Sequence, residues 1–214
     1  MLNIQRFVFN MVEENTYVLW DDTLDAVIVD CGAFHEEERK ALADFIADKG
    51  LTVRHLLQTH GHFDHIFGAD FVCRTYGTGP EMAAAEQENY ELAAERMRMF
   101  MHRALPLELP PVARYFHAGD TVGFGHHTLE VLATPGHTPG GICFYCKDEG
   151  VLLSGDSLFR YSIGRCDLPG GDERLLIDTI RDNVMTLPDD VTVLPGHGGA
   201  TTVSEERNGN PYLR

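Results

Sequence analysis

The chain has 214 residues, of which 43% are hydrophobic, and carries a formal net charge of −16. The length fits a single domain spanning 1–214, and the acidic charge argues against nucleic-acid and anionic-membrane partners, whose binding faces are rich in Lys and Arg. Five cysteines are too few for a disulfide scaffold, and the N-terminus lacks a basic segment followed by a long apolar run, so we expect a reduced, cytoplasmic protein.

The first part of the chain alternates apolar runs with one strong helical pattern. We predict strands at 2–9, 16–20, 26–29 and 53–57. Residues 36–49 predict a helix, because Leu42, Phe45 and Ile46 share one face and Gly50 suits its C-terminal end. The strand at 53–57 leads directly into a His-rich segment.

A second helical pattern covers 81–104, followed by four β runs and a final helix and strand. Its apolar stripe consists of Tyr90, Ala94, Met97, Met101 and Ala104. The later elements are strands at 120–124, 128–133, 141–146 and 150–154, a helix at 173–187 with Asp172 as N-cap, and a strand at 191–194. This order predicts an α/β (α+β) fold with sheets sandwiched by helices.

The His-rich segment is the strongest functional signal in the sequence. It contains His60, His62, Asp64 and His65 within six residues. Side chains two positions apart on an extended segment point the same way, so His60 and His62 can bind one ion together. Imidazole and carboxylate ligands suit zinc, iron or manganese.

Three further residues of the metal-binding types each follow a glycine at the end of a β run. They are His137, Asp156 and His197. The glycines allow tight turns there. Each residue alone is compatible with an ordinary turn, but together with the His-rich segment they supply enough ligands for two ions.

The full pattern, His-x-His-x-Asp-His followed by Gly-His, Gly-Asp and Gly-His, resembles the metallo-β-lactamase superfamily over roughly residues 15–197. The resemblance implies a four-layer αβ/βα sandwich with two divalent metals, zinc first, at one edge of the sheets. It assigns one metal to His60, His62 and His137 and the other to Asp64, His65 and His197. Asp156 bridges both metals, and Asp64 and Asp156 take part in catalysis by a bridging hydroxide. Asp30, with Asp167 as a further candidate, is expected to hold the ligands from behind.

Within the superfamily, residues 157–171 and the tail 208–213 resemble the short glyoxalase II-like branch, which hydrolyses glutathione thioesters such as S-lactoylglutathione. The implied partner is therefore a small thioester. Persulfide dioxygenases share the ligand pattern and use one iron, held here by His60, His137 and Asp156. Lactonases and β-lactamase-like hydrolases are further enzyme alternatives, and a binding module without activity is a non-enzymatic one. The oligomeric state is open.

Residues 81–116 are the candidate helical insertion near the active site. Met97, Met99, Phe100 and Met101 either form an adaptable apolar wall or pack into the core. Arg165 and Tyr161 are candidate substrate-binding residues, although Arg165 has an ion pair with Asp167 or Asp172 as its alternative.

Two other motifs are set aside. Gly155-Asp156-Ser157-Leu158 is typical of serine esterases, but the chain lacks the Asp-x-x-His that would complete such a site. Cys143 and Cys146 are three apart in a predicted strand, so they face opposite sides and cannot easily share an ion. Cys166 is a candidate exposed thiol.

Overall fold

The computed structural model describes residues 1–102 and 107–214. The first part of the chain forms β1 (Asn3–Phe9), β2 (Glu14–Trp20), β3 (Asp25–Val29), α1 (Glu36–Lys49), β4 (Thr52–Leu57), α2 (Phe63–Ile66), α3 (Ala69–Tyr76), β5 (Pro80–Ala83), α4 (Gln87–Glu91), α5 (Ala93–Met101) and β6 (Arg114–Phe116). The second part forms β7 (Thr121–Phe124), β8 (His127–Ala133), β9 (Ile142–Cys146), β10 (Val151–Gly155), β11 (Leu158–Phe159), β12 (Ser162–Ile163), α6 (Glu173–Asn183), β13 (Thr192–Pro195), β14 (Thr201–Thr202) and α7 (Val203–Gly209).

The strands form two six-stranded sheets and a small hairpin. The N-terminal sheet has the order β1-β2-β3-β4-β5-β6, antiparallel from β1 to β3 and parallel from β3 to β6. The C-terminal sheet has the order β14-β13-β10-β9-β8-β7, in which β10 and β13 are parallel. Helices make the crossovers that parallel neighbours require: α1 joins β3 to β4, and α6 lies between β10 and β13.

Three apolar cores separate four layers. Successive residues of β2 alternate between two of them: Val18 packs toward the helices, whereas Tyr17 and Leu19 pack between the two sheets. Leu42 of α1 belongs to the first core, and Leu176 of α6 belongs to the third, on the outer face of the C-terminal sheet. The layers are therefore helix, sheet, sheet, helix, which confirms the predicted sandwich.

The ends of two predicted helices show how local sequence specifies them. At α1, Glu38 accepts hydrogen bonds from the backbone N–H groups of Phe34 and His35, and Gly50 ends the helix with φ +66°. At α6, the Asp172 side chain accepts from Leu175 N, as predicted. The α6 helix ends at Asn183 rather than at 187, because the chain turns after that residue.

The prediction of one helix over 81–104 was wrong at its start. Residues 80–83 form β5, whose Met82 is fully buried and pairs in register with Tyr115 of β6. Helical structure begins with a 3-10 turn at Ala84–Glu86, continues as α4 and is interrupted at Leu92. Tertiary pairing outweighs local helical pattern here. Residues 103–106, including Ala104 of the predicted stripe, lie outside the described residues.

The tail contains structure that the sequence analysis missed. Strand β14 pairs with β13, and α7 follows it directly. The signal for α7 was present: Thr202 accepts a hydrogen bond from the N–H of Glu205, which matches the Thr-x-x-Glu pattern of a helix N-terminus. In residues 1–102 and 107–214, no helix has the length and hydropathy needed to cross a membrane.

Candidate metal centre

The chemistry-bearing segments all follow strand ends and meet at one edge of the two sheets. Asp30 follows β3, and the His60–His65 segment follows β4. From the C-terminal sheet, the His137 loop follows β8, Asp156 follows β10 and His197 follows β13. Because β3 and β4 are parallel, as are β10 and β13, their C-terminal ends lie side by side within each sheet. The packed sheets therefore bring all seven predicted donors into one cluster.

Three imidazoles form the first donor set. His62 Nδ1 lies 3.1 Å from His60 Nε2 and 2.9 Å from His137 Nε2. Nitrogens around a tetrahedral zinc ion, with bonds near 2.05 Å, lie about 3.3 Å apart. The three nitrogens are thus close to the spacing of a shared metal.

The second donor set combines one carboxylate with two imidazoles. Asp64 Oδ2 lies 3.2 Å from His197 Nε2 and 3.7 Å from His65 Nε2. Asp64 and His65 lie on the short helix α2, and His197 arrives from the opposite sheet. This set therefore also depends on the packing of the two sheets.

Asp156 lies between the two sets. Its Oδ1 is 3.3 Å from His65 Nε2, and its Oδ2 is 3.6 Å from both His137 Nε2 and His197 Nε2. One carboxylate thus faces imidazoles of both sets. This is the placement that a ligand shared by two ions requires.

Two buried atoms test whether the cluster fits metal ions. His65 Nε2 and Asp156 Oδ1 have no hydrogen-bond partner among the described residues. An unsatisfied buried polar atom costs about 1–3 kcal/mol, so such atoms are uncommon unless another group satisfies them. Divalent ions would satisfy both atoms, and the donor chemistry agrees. The residues present therefore fit a two-ion centre.

Backbone carbonyls orient two of the imidazoles from the side opposite the cluster. His137 Nδ1 is 2.6 Å from the carbonyl oxygen of Arg165, and His197 Nδ1 is 3.1 Å from that of Val12. A carbonyl can only accept, so each Nδ1 carries the proton and leaves Nε2 free to bind a metal.

Asp30 orients two more imidazoles. Its Oδ2 lies 2.9 Å from His65 Nδ1 and accepts a hydrogen bond from Thr59 Oγ1 at 2.8 Å. Because the Thr59 hydroxyl donates to Asp30, it accepts from His60 Nδ1, 3.0 Å away. Asp30 itself has φ +52°, an uncommon conformation for a residue other than glycine. One carboxylate therefore positions a ligand of each set, consistent with the role expected for Asp30.

The electrostatics differ between the two donor sets: they favour neutral imidazoles at His60 and His62 and an ionised carboxylate at Asp156. Burial lowers the pKa of His62 to about 3, with a further contribution from His137. Burial also lowers the pKa of His60 well below its ordinary value. Burial alone would raise the pKa of Asp156, but the neighbouring His65 holds it well below the ordinary value. His60 and His62 therefore have the neutral form that metal ligands need. Burial alone would lower the pKa of His65, but the neighbouring Asp156 holds it well above the ordinary value, so a metal ion bound there would displace a proton.

Glu86 supports the centre and was not found from the sequence. The fully buried carboxylate accepts from Gly61 N and Gly140 N, each at 2.7 Å, and from Asn89 Nδ2 at 2.8 Å. Gly61 lies between two predicted ligands, and Gly140 lies in the His137 loop. Glu86 thus joins the two loops to each other and to the segment before α4. Its partners are backbone groups from distant segments, and no local motif signals them.

The predicted substrate residues have other partners. Arg165 forms a two-pronged ion pair with Asp167, with Nε–Oδ1 and Nη2–Oδ2 distances of 2.7 and 2.8 Å. The alternative considered for Arg165 is therefore the one observed. The expectation that Asp167 supports a ligand was wrong, because its exposed side chain points to Arg165 instead.

Tyr161 does not line the cavity next to the cluster. Its ring packs beside Gly209 of α7, and its N–H donates to Glu206 Oε2 at 2.8 Å. Glu206 is fully buried and also accepts from Asn210 Nδ2. The tail that resembles the glyoxalase II-like branch thus anchors the loop after Asp156 from outside the cavity.

A cavity of about 640 Å³ opens beside the cluster. Its lining includes His62, Asp64, His137, Asp156 and His197, together with many apolar side chains. The second helical pattern contributes both to the core and to the apolar wall of the cavity. Met97 is buried in the protein, whereas Met99 and Phe100 line the cavity and are 66% and 50% exposed.

Ser157, Cys143 and Cys146, whose motifs do not point to a site, are buried and pack inside the protein. Ser157 Oγ lies 2.6 Å from Thr134 Oγ1 in a buried position. Cys143 packs in the core beside α6 and Cys146 in the core between the sheets, so they do face opposite sides.

Two residues of β2 contact the segment just before His197. Asn15 N donates to Gly196 O at 2.7 Å, and Asn15 Nδ2 donates to Pro195 O at 2.8 Å. Tyr17 OH donates to the same Pro195 carbonyl at 2.8 Å. The first hairpin thus holds the loop that carries His197.

Comparison with known proteins decides the family. A family model described as the metallo-beta-lactamase superfamily matches residues 11–197. The chain belongs to the metallo-beta-lactamase superfamily. Its two sheets and flanking helices have the arrangement of metallo-beta-lactamase-fold structures.

Two relatives align with this chain along nearly its whole length. It is 34% identical to the probable metallo-hydrolase YqgX of Bacillus subtilis, over 98% of this chain and 96% of the relative. It is 33% identical to hydroxyacylglutathione hydrolase GloC of Haemophilus influenzae, over 99% of this chain and 98% of the relative.

Three solved structures of similar fold extend the comparison. The BLEG-1 B3 metallo-beta-lactamase has a TM-score of 0.90 and 33% identity, covering 99% of both chains. A di-iron-bound form of TTHA1623 has a TM-score of 0.85 and 33% identity, over 98% of this chain and all of that one. ETHE1 from Myxococcus xanthus has a TM-score of 0.80 and 25% identity, over 98% and 83%.

Proposed function

We propose that the protein is a two-metal hydrolase that cleaves a small thioester of the S-lactoylglutathione type. The observation that carries the proposal is the position of Asp156, whose two oxygens face the two donor sets. The near-complete alignment with the relative named hydroxyacylglutathione hydrolase GloC supports the thioester class.

The proposed ligands are His60, His62 and His137 for one ion and Asp64, His65 and His197 for the other, with Asp156 shared. Zinc is the proposed metal, because neutral imidazoles and carboxylates suit it and the first set has nearly tetrahedral spacing. Bound there, divalent ions supply a water of lowered pKa and an electrophile for the carbonyl oxygen.

The protein's own residues position these groups. Asp30, Thr59 and the Arg165 carbonyl fix the imidazole rings, so the donors need little rearrangement on binding metal. Apolar side chains line the cavity next to these donors, and a less polar surrounding strengthens electrostatic interactions there.

The cytoplasm is the proposed location. Cys31, Cys73, Cys143, Cys146 and Cys166 are all free thiols. Free thiols are typical of a reducing compartment.

Two alternatives each have one supporting observation. ETHE1 from Myxococcus xanthus has a similar fold, and His60, His137 and Asp156 give the two-His, one-carboxylate set of a mononuclear iron dioxygenase. The similarity to the BLEG-1 B3 metallo-beta-lactamase supports a β-lactamase-like activity.

One set of measurements on the purified protein separates these functions. Metal content is determined alongside turnover of S-lactoylglutathione, oxygen uptake with glutathione persulfide, and hydrolysis of a chromogenic cephalosporin. The proposal expects about two zinc ions per chain and thioester hydrolysis as the fastest reaction. About one iron per chain with oxygen uptake, or faster cephalosporin hydrolysis, would replace it with the corresponding alternative.

A further inference from the structure

Large apolar side chains form much of the lining of the cavity beside the proposed metals. Its wall includes Phe63, Met99, Phe100, Phe159 and Leu168. Large aromatic and methionine side chains contribute most of their contact energy by removing apolar surface from water. The wall therefore favours a ligand with apolar surface of its own.

This apolar wall begins at the metal donors themselves. Phe63 directly follows His62 in the chain, and its ring centroid lies 5.5 Å from that of Phe100 on α5. On the other side, the Phe159 ring lies 6.2 Å from the His197 ring. A carbonyl group placed at the donors would therefore have its substituents against aromatic rings.

Arg96 contributes a guanidinium without an ion-pair partner to the described lining of this cavity. Arg96 and Arg165 both contribute to the lining, but the guanidinium of Arg165 is paired with Asp167. None of the ion pairs within residues 1–102 and 107–214 includes Arg96. In a chain with a net charge of −16, this guanidinium adds to the charge of the proposed metals and would attract an anionic group of the ligand.

We propose that the preferred substrate is a thioester with an apolar acyl group of several carbons, and that Arg96 binds a carboxylate of the same molecule. The proposal rests on the proposed thioester hydrolysis and narrows its substrate class. The short lactoyl group can bury less apolar surface against the aromatic wall than an alkyl chain of several carbons, so it is the poorer fit. In the reaction, a water oxygen bonds to the acyl carbon, the C–S bond breaks, and the thiol leaves with a proton, giving a carboxylic acid.

Binding of two thioethers that cannot be hydrolysed tests the apolar wall without catalysis. Calorimetry on the zinc-loaded protein compares S-hexylglutathione with S-methylglutathione. The hexyl compound is expected to bind at least about tenfold more tightly, which requires burial of only about two more methylene groups. Equal affinity for the two compounds would overturn the assignment of the wall.

Substitution of Arg96 tests the cation, with Arg98 on the same helix as the matched control. Arg98 is exposed and does not contribute to the described cavity lining. Arg96→Gln is expected to weaken binding of both thioethers by about tenfold or more, whereas Arg98→Gln leaves binding unchanged. The same affinity in both variants would remove Arg96 from the site.

Kinetics with S-hexanoylglutathione and S-lactoylglutathione distinguishes failure of this inference from failure of the proposed function. We expect a higher kcat/KM for the hexanoyl thioester and a raised KM with little change in kcat in Arg96→Gln. Preference for the lactoyl thioester would contradict the inference while leaving thioester hydrolysis intact. If neither thioester is hydrolysed, the proposed function fails, and the thioether affinities still decide whether the cavity selects apolar anions.

Discussion

At the residue scale, Asp156 is the most consequential side chain, because its carboxylate faces imidazoles of both donor sets. Asp156→Asn replaces one oxygen with an amide nitrogen that cannot bind a cation. We expect metal content to fall from about two ions per chain to one or fewer, and turnover to fall more than about a hundredfold. Elemental analysis and steady-state kinetics measure both effects, with circular dichroism to verify the fold.

Ser157 is the control for that substitution. It is the next residue, it is buried, and its hydroxyl contacts Thr134 rather than a histidine. Ser157→Ala should therefore retain two metals and near-normal turnover. A large loss of kcat in Ser157→Ala, with activity retained in Asp156→Asn, would point to serine chemistry instead.

Residues of the site differ in how visible they are in the sequence. The seven proposed ligands could be predicted because they belong to a few metal-binding types and recur at strand ends, a pattern with long-range meaning. Glu86 and Arg96 could not, since a lone Glu or Arg on a helical segment has an ordinary surface role as its default. Only the fold shows that Glu86 is buried against backbone N–H groups and that Arg96 faces the cavity.

At the element scale, Glu86 connects the segment leading into α4 with both ligand-bearing loops. Glu86→Gln supplies one acceptor oxygen where the carboxylate supplied two, so a buried N–H loses its partner. We expect stability to fall by about 1–3 kcal/mol and metal affinity to fall about 10- to 100-fold. Denaturant unfolding and competition with a chelator measure these effects.

Glu88 is the matched control, because it lies two residues further along and is exposed. Glu88→Gln should match the wild type in both measurements. A Glu86→Gln variant with unaltered metal affinity would show that the two loops hold their positions without this carboxylate.

Elements were predictable where local chemistry and tertiary packing agree. The start of α6 at Asp172 and the end of α1 at Gly50 have strong local signals that the fold retains. Strand β5 was mistaken for helix because its Pro-Glu-Met-Ala sequence has no β pattern, and pairing with β4 and β6 determines its conformation.

At the scale of the whole molecule, the proposed ligands come from both sheets, so bound metal links the two halves of the sandwich. Metal at about 1,000 times its dissociation constant stabilises the native state by about 4 kcal/mol. Chelation should therefore lower the Tm by roughly 10 °C for a chain of this size, as measured by calorimetry. Asp156→Asn should lose most of this response, and an unchanged Tm in the chelated wild type would argue against metals that bridge the sheets.

Asp21 joins the sheets at another position, between the end of β2 and the β7–β8 turn. Its buried carboxylate accepts from Thr23 N at 2.9 Å and from His126 N at 2.6 Å. Burial alone would raise the pKa of Asp21, but the hydrogen bonds lower it to about 2. Since the folded pKa lies below the unfolded value of about 3.9, the stabilisation is complete above that value and is lost as pH falls toward 2.

The pH dependence can be measured with metal-free protein. Asp21→Asn should be less stable than the wild type by about 1–3 kcal/mol at pH 7, and the difference should narrow between pH 4 and pH 3. Asp22→Asn is the control, because its side chain is 82% exposed. If the difference in free energy of unfolding between Asp21→Asn and the wild type is unchanged at pH 3, the effect is due to packing rather than charge.

The hydrogen bonds between the first hairpin and the His197 loop affect the order of events during folding. Asn15 and Tyr17 bind carbonyl groups of residues about 180 positions later, at Pro195 and Gly196. During synthesis the N-terminus of the chain emerges first, so the hairpin can form these hydrogen bonds only after almost the whole polypeptide has been made. Until then His197 is not in place and the second donor set is incomplete. We therefore expect the proposed second metal to bind late, after the last strands have been translated.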